Sequence, residues 1–338
     1  MKLLPTFKST ILMIPSLSFK MTAAELMYKP FRRYPALFAD NFDKSWLHKD
    51  FVQISDAFEK PAKNYKDAIP DDLLRKEMDG VYSFNVFNDV FLQMFNEEIN
   101  HFYDVSESEN IPVKRPNSMN NYGVIVNEIG LRPMITAFQQ TYLWPLSRHL
   151  FPVEASQFDN HHSFIVRYRA EEDLGLDMHT DDSDVTFNVC LGEEFTGATL
   201  SFCGMFGAVN HRQHRLTYHH EVGRAILHLG SRRHGADDIQ SGRRSNLIVW
   251  NHNYAYRARG INSWDRDSQY EQEEGIPSPV CLSYTHDRDY EVYKELPEAA
   301  KKQKRKPWCP PPGASTKDIM LKVDYTYGAR IVLLYMLC

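Results

Sequence analysis

Between Ser163 and Trp250 the chain breaks into short runs rich in β-branched and aromatic residues, each bounded by turn-forming residues, and this pattern limits the fold more than any other feature. The runs are 163–168, 185–191, 198–203, 215–220, 225–229 and 246–250. Six such runs in under ninety residues point to a barrel or sandwich of the jelly-roll type.

Upstream the period changes. From Phe87 to Phe102 the residues Val90, Phe91, Met94, Phe95, Ile99 and Phe102 recur at helical intervals, and Leu131 to Leu150 carries Met134, Phe138, Tyr142, Leu146 and Leu150 on one face. The expected class is therefore α+β with a mainly β core and N-terminal helices packed on it. A polar bridge, Glu107 to Asn110, and the proline-rich stretch after it separate a mostly helical region, 1–110, from a core, 111–255. A polar C-terminal extension, 256–338, follows.

Composition excludes more than it assigns. With 39 basic and 44 acidic side chains the formal charge is -5, which supplies no general field for phosphate backbones, so nucleic acid is disfavoured as a partner. The five cysteines have no pair at metal-knuckle spacing, which argues against a disulfide framework and reads Cys190 and Cys203 as small core residues. Residues 1–20 hold Lys2, Lys8 and Lys20, no acid, and an apolar patch Ile11–Ile14 broken by Pro15. The patch is too short to span a membrane; the composition leaves a mitochondrial leader open for a protein read as intracellular, and Met21 offers an alternative start. The basic stretch 301–306 reads as a solvated tail, and the apolar end 331–337 falls short of a membrane anchor.

Fourteen histidines invite a search for imidazole chemistry. His179 and Asp181 lie between two strand runs at a spacing that puts them on one face of extended chain, so both can bind one ion. His234, beyond the run 225–229, is the best third ligand. Two imidazoles and one carboxylate make the facial triad of non-haem Fe(II) oxygenases, with positions left open for oxygen and a co-substrate. His228 is the rival ligand, set inside an apolar strand, and Asp182 and Asp184 compete less well with Asp181. If Asp237 to Gly242 forms a hairpin centred near Ile239, Arg244 returns beside His234. A guanidinium there clamps a dicarboxylate such as 2-oxoglutarate, with Arg243 the second choice. Tyr168 can donate to the same carboxylate, and Thr186 and Asn188 are weaker candidates from the neighbouring strand. Arg232-Arg233 and Arg243-Arg244 together would make the site mouth positive.

His179-Thr180-Asp181, His234 and Arg244, at these separations, resemble the Fe(II)/2-oxoglutarate dioxygenases of the prolyl and lysyl hydroxylase branch over roughly residues 160–255. Arg115 to Val124, Asp184 to Gly192 and His234-Gly235-Ala236 are similar to a subgroup described as 2-oxoglutarate and iron-dependent oxygenase domain proteins, which extends the likeness to roughly 111–255. The resemblance implies a double-stranded β-helix, Fe(II), 2-oxoglutarate and O₂ as co-substrates, release of succinate and CO₂, and L-ascorbate dependence. It leaves the primary substrate unidentified and tilts towards a protein Lys or Pro residue. Two competing readings stand beside it. One is a catalytically silent metal-binding or scaffolding module on the same fold; the other is a zinc hydrolase, which has no use for Arg244.

Overall fold

Asn88 starts the longest helix by accepting, through its side chain, a 3.0 Å hydrogen bond from the Phe91 amide. In the computed structural model, which describes residues 21–59, 69–206, 208–259 and 277–283, that helix runs Asp89–Ser108. Its buried face is Phe91, Leu92, Phe95, Ile99, Phe102 and Val105, whereas Val90, assigned to that face from its spacing, is 67% exposed. The leader, the basic stretch and the apolar end lie outside the described residues, as does nearly all of 256–338.

In chain order the elements begin with α1 (Ala23–Tyr28), α2 (Lys49–Glu59), β1 (Arg75–Met78), β2 (Val81–Asn85), α3 (Asp89–Ser108) and β3 (Gly123–Val124). The expected helix over 131–150 is present as α4 (Arg132–Phe138), a π-turn at Gln139–Leu143 and α5 (Trp144–Leu150). Pro145 explains the interruption: it has no N–H for the Thr141 carbonyl, and the wider turn accommodates the missing bond. Then come β4 (Asn160–Arg169), β5 (Leu176–His179), β6 (Val185–Gly192), β7 (Phe195–Gly197), β8 (Leu200–Met205) and β9 (Leu216–Tyr218). They are followed by β10 (Arg224–Leu229), β11 (Arg232–Ala236), β12 (Ile239–His252) and α6 (Tyr254–Arg257).

The strands form two antiparallel sheets. The larger has the order β1-β2-β10-β6-β12-β4-β3, with β7 joined to β12, and the smaller is β5-β11-β8-β9. Alternation along the central strands divides the interior. Val185, Phe187, Val189 and Leu191 of β6, with Leu247 and Val249 of β12, pack against Phe87, Phe91 and Phe138 of the helical layer. The opposite faces of these sheets enclose a second core, where Tyr168, Ile226 and Ile248 of the larger sheet meet Leu200, Phe202 and Ala236 of the smaller. β6 is buried at all eight positions, so its polar residues Thr186 and Asn188 point into the space between the sheets.

Three findings differ from the sequence reading. First, β1 and β2 come from the region read as mostly helical, and β2 pairs with β10; the Asp79-Gly80 turn between two short alternating segments was the available signal. Second, the run 246–250 is only the middle of a 14-residue strand. Gln240-Ser241-Gly242 resembles a turn but stays in the strand, with Gly242 at φ 78° where the chain passes close to Glu194. No hairpin therefore folds Arg244 back onto His234: β11 and β12 belong to different sheets, and the chain crosses between them at Asp237 and Asp238. Third, Cys203 is not a free core thiol but is bonded to Cys281 across 78 residues, holding 277–283 against β8. A pairing this distant leaves no short-range spacing to read. Cys190 is free and buried, and Cys309 and Cys338 lie outside the described residues.

His161 ties the helical layer to β4. Its ring lies 2.9 Å from the Thr136 hydroxyl and 2.6 Å from that of Ser163. Burial, helped by the charge of Arg132, pulls its pKa down to about 3. The folded value is below the unfolded one, so the stability it contributes is complete above pH ~6.5 and is lost as pH falls towards 3. Urea melts at pH 7 and pH 4.5 should differ by about 2–3 kcal/mol on account of this ring, and a His161→Asn variant should lose that part of the difference. Among the described residues no helix is long and apolar enough to cross a membrane.

Candidate active site

β5 ends at His179, and the chain turns at once, so Asp181 reaches the same space as His179 through the turn rather than by strand alternation. The turn is held in several places. The Asp181 amide donates to the Gly230 carbonyl at 2.9 Å, and the Thr186 hydroxyl donates to Asp181 Oδ2 at 2.6 Å. Arg257 of α6 binds Asp182 at 2.7 Å and Asp184 at 3.0 Å. Those two carboxylates are thereby drawn to the far side of the turn, which leaves Asp181 as the inward one. Gly230 is required by close approach: a methyl group there would overlap the Ser183 carbonyl oxygen. Gly230→Ala is expected to destabilise the fold by about 2 kcal/mol and to weaken divalent-metal binding, because relieving the clash moves the Asp181 turn. A chemical melt and a metal titration on the same sample check both.

His234 on β11 is the register partner of His179 on β5, which places the two rings side by side with centroids 4.4 Å apart. His179 Nδ1 lies 2.7 Å from the Asp177 carbonyl and His234 Nδ1 2.9 Å from that of Arg232. A carbonyl only accepts, so each Nδ1 carries the proton and each Nε2 presents a lone pair. These face Asp181, at 3.3 Å from Oδ1 for His179 and 3.6 Å from Oδ2 for His234. Ligand atoms of all three residues lie within 4.8 Å of one another. Burial pushes His234 down to about 3, which keeps it neutral. Burial alone would raise the Asp181 carboxyl, and the Thr186 hydroxyl donating to Oδ2 favours its ionised form. Two neutral imidazoles oriented by backbone carbonyls and one ionised carboxylate are a donor set suited to a divalent transition metal.

The other residues singled out in the sequence lie on the inward face of the larger sheet. Arg244 of β12 is the register partner of Tyr168 of β4, its guanidinium carbon 4.7 Å from the centre of the tyrosine ring. Arg244 is 1% exposed and donates through Nη1 to the Ala198 carbonyl, while its Nε has no partner. Among the described residues it forms no ion pair with a carboxylate. Burial lowers its pKa, with Tyr168 beside it opposing the shift. Tyr168 accepts from Asn120 at 3.3 Å. Thr186 is engaged with Asp181, on the side of the donor cluster, and Asn188 accepts a 2.6 Å bond from Asn246. Asn120 and Asn246 had not been identified; Asn246, two residues after Arg244 on one strand face, was the more legible. Arg243 points outward to Glu193. Arg232 and Arg233 are buried and donate to the carbonyls of Asp79 and Cys281, so they do not form the positive mouth read from their adjacency.

Residues 27–155 match the model of the OGFOD2-like domain. The chain is 35% identical over 213 residues to the human 2-oxoglutarate and iron-dependent oxygenase domain-containing protein 2, covering 62% of this chain and 60% of that protein. The mouse protein of the same name is 40% identical over 181 residues, covering 53% and 51%, and the Arabidopsis thaliana protein ICU11, named as an oxygenase domain of the same kind, is 34% identical over 194, covering 56% and 48%. The chain thus spans about half to three-fifths of the length of these curated relatives. Among solved structures, a prolyl 4-hydroxylase of Phytophthora capsici gives a TM-score of 0.43 at 15% identity, over 67% of this chain and 70% of that one. The OGFOD2-like match ends at residue 155, upstream of His179, so it describes the helical layer and β1 to β3 rather than the donor cluster.

Proposed function

We propose that this chain is an Fe(II)- and 2-oxoglutarate-dependent dioxygenase that hydroxylates a substrate and releases succinate and CO₂, with the paired sheets forming a double-stranded β-helix. One observation carries the reading. A His-Asp-His donor cluster shares the buried space between the sheets with a guanidinium that has no carboxylate partner among the described residues. A desolvated cation left in that condition is a cost unless an anion arrives to meet it.

In this reading His179 and His234 offer Nε2, and Asp181 a carboxylate oxygen, to iron. Iron supplies the oxidising chemistry when bound, and L-ascorbate serves to keep it ferrous. Arg244 takes the far carboxylate of 2-oxoglutarate, while Tyr168 beneath the guanidinium fixes its plane and Asn188 lines the same wall. Thr186 holds Asp181 in its ligating orientation by donating to Oδ2. The apolar residues Phe202, Ile226 and Ile248 exclude water, which strengthens each of these interactions. Residues 111–255 form the core of this activity and a protein side chain is the favoured substrate class.

The test is to incubate protein reconstituted with Fe(II) with 2-oxoglutarate and O₂ and to measure succinate. Slow, substrate-independent succinate formation that disappears in His234→Ala is the expected result. Tight 2-oxoglutarate binding with no succinate, even with candidate peptides added, would instead favour the silent module.

A further inference from the structure

Three imidazoles, not two, converge on the donor cluster. His228, from β10 on the larger sheet, is fully buried, and its ring meets that of His234 edge to face with centroids 4.7 Å apart. On the strand it sits opposite Thr186, the residue that donates to Asp181. Its Nδ1 lies 2.9 Å from the Leu229 carbonyl, so Nδ1 carries the proton and Nε2 the lone pair. His179 and His234 are prepared for metal in the same way. Yet His228 stands outside the group of ligand atoms that lie within 4.8 Å of one another, and its Nε2 is shut off from solvent with no partner among the described residues. An acceptor buried without a donor is costly, and its neighbours Phe202 and His234 offer none from their ring faces and edges.

We propose that His228 accepts, at Nε2, a hydrogen bond from the water or oxygen ligand at an open coordination position of the metal held by His179, Asp181 and His234. This rests on the metal-centre reading above and assigns His228 as a positioning residue rather than a ligand. The tautomer set by Leu229 makes the role that of an acceptor only.

The experiment uses the full chain loaded with Mn(II), with metal affinity and the exchange rate of metal-bound water, from oxygen-isotope NMR relaxation of the solvent, as readouts. In His228→Leu the bound water should exchange roughly fivefold faster, the worth of one hydrogen bond, while Mn(II) affinity stays within about threefold of the parent. His228→Gln, whose amide oxygen accepts, should exchange close to the parent rate. Unchanged exchange in His228→Leu overturns the assignment, and so does a loss of Mn(II) affinity as steep as that of His179→Ala, which would make His228 a ligand. If the leucine variant does not fold, histidine-nitrogen NMR of the parent decides: the unprotonated Nε2 signal of His228 should move on adding Zn(II), and a stationary signal overturns the proposal. Failure of the parent to bind Mn(II) would remove the metal centre itself, an outcome distinct from an intact centre indifferent to His228.

Discussion

Arg244→Met is expected to make the ligand-free protein more stable while abolishing its response to 2-oxoglutarate. The side chain is 1% exposed, its Nε is unpartnered, and no carboxylate pairs with it among the described residues. A thioether of similar length fills the same space over Tyr168 without the desolvated charge, at the loss of one hydrogen bond to the Ala198 carbonyl. The net gain should be about 2 kcal/mol, or a rise of roughly 4 °C in Tm. Saturating 2-oxoglutarate, at a hundredfold over its Kd, stabilises the parent by about 2.7 kcal/mol and should leave the variant unmoved. Thermal melts of both proteins with Mn(II), with and without 2-oxoglutarate, read all four values. A variant less stable than the parent would mean that the charge is already balanced, and the argument for an anion site would fail. Arg244→Lys should retain a weakened response, because an ammonium meets a carboxylate with one point charge rather than a fork.

Asp181→Ala should remove the metal. Loss of groups that merely orient ligands costs ten- to a hundredfold in affinity, so loss of the only anionic ligand should cost on the order of a thousandfold or more. The expected result is no retained Fe(II) or Mn(II) after gel filtration, with the fold weakened by only about 1 kcal/mol as the Thr186 hydroxyl loses its acceptor. Metal content and a chemical melt on the same preparation separate the two effects. A variant that retains metal at the parental level would transfer the carboxylate role to another residue, and Arg257 argues against Asp182 and Asp184 by already binding both.

Much of the architecture could be read from periodicity because its strongest elements obey it. α3 and the α4–α5 segment show helical spacing, and every strand-like run overlaps a strand. Two of the departures come from sequence that carries another duty. β11 is Arg-Arg-His-Gly-Ala, with no apolar alternation, since Arg232 and Arg233 hold carbonyls and His234 belongs to the donor cluster. β12 was shortened because Gly242 serves a close approach rather than a turn. At the site, short spacing revealed His179 and Asp181, and longer spacing led to His234. What spacing could not show was that Arg244 approaches from the opposite sheet instead of along a hairpin, because a sheet crossover and a turn look alike in polar residues. His228, set aside in the sequence as a rival ligand, stays outside the donor cluster, although alternation puts its ring on the same face as Thr186.

β6 gives the protein a shared wall. Each of its residues is enclosed, alternately by the aromatic side chains of the helical layer and by the chemistry between the sheets. Phe187 touches Phe138, at 5.6 Å between centroids, while Thr186 beside it orients Asp181. A change in volume at Phe138 can therefore reach the Asp181 carboxylate through one peptide unit, without any contact with the site. For the same reason the helices are not a detachable front. A fragment beginning at residue 111 would lack β1, β2 and α3 and would leave the apolar side of the larger sheet covered by α4 and α5 alone, and it is expected to aggregate more readily than the longer chain. Variation that tunes this centre need not be sought around the donor cluster; it can arise one layer away, in a set of phenylalanines that never touch it.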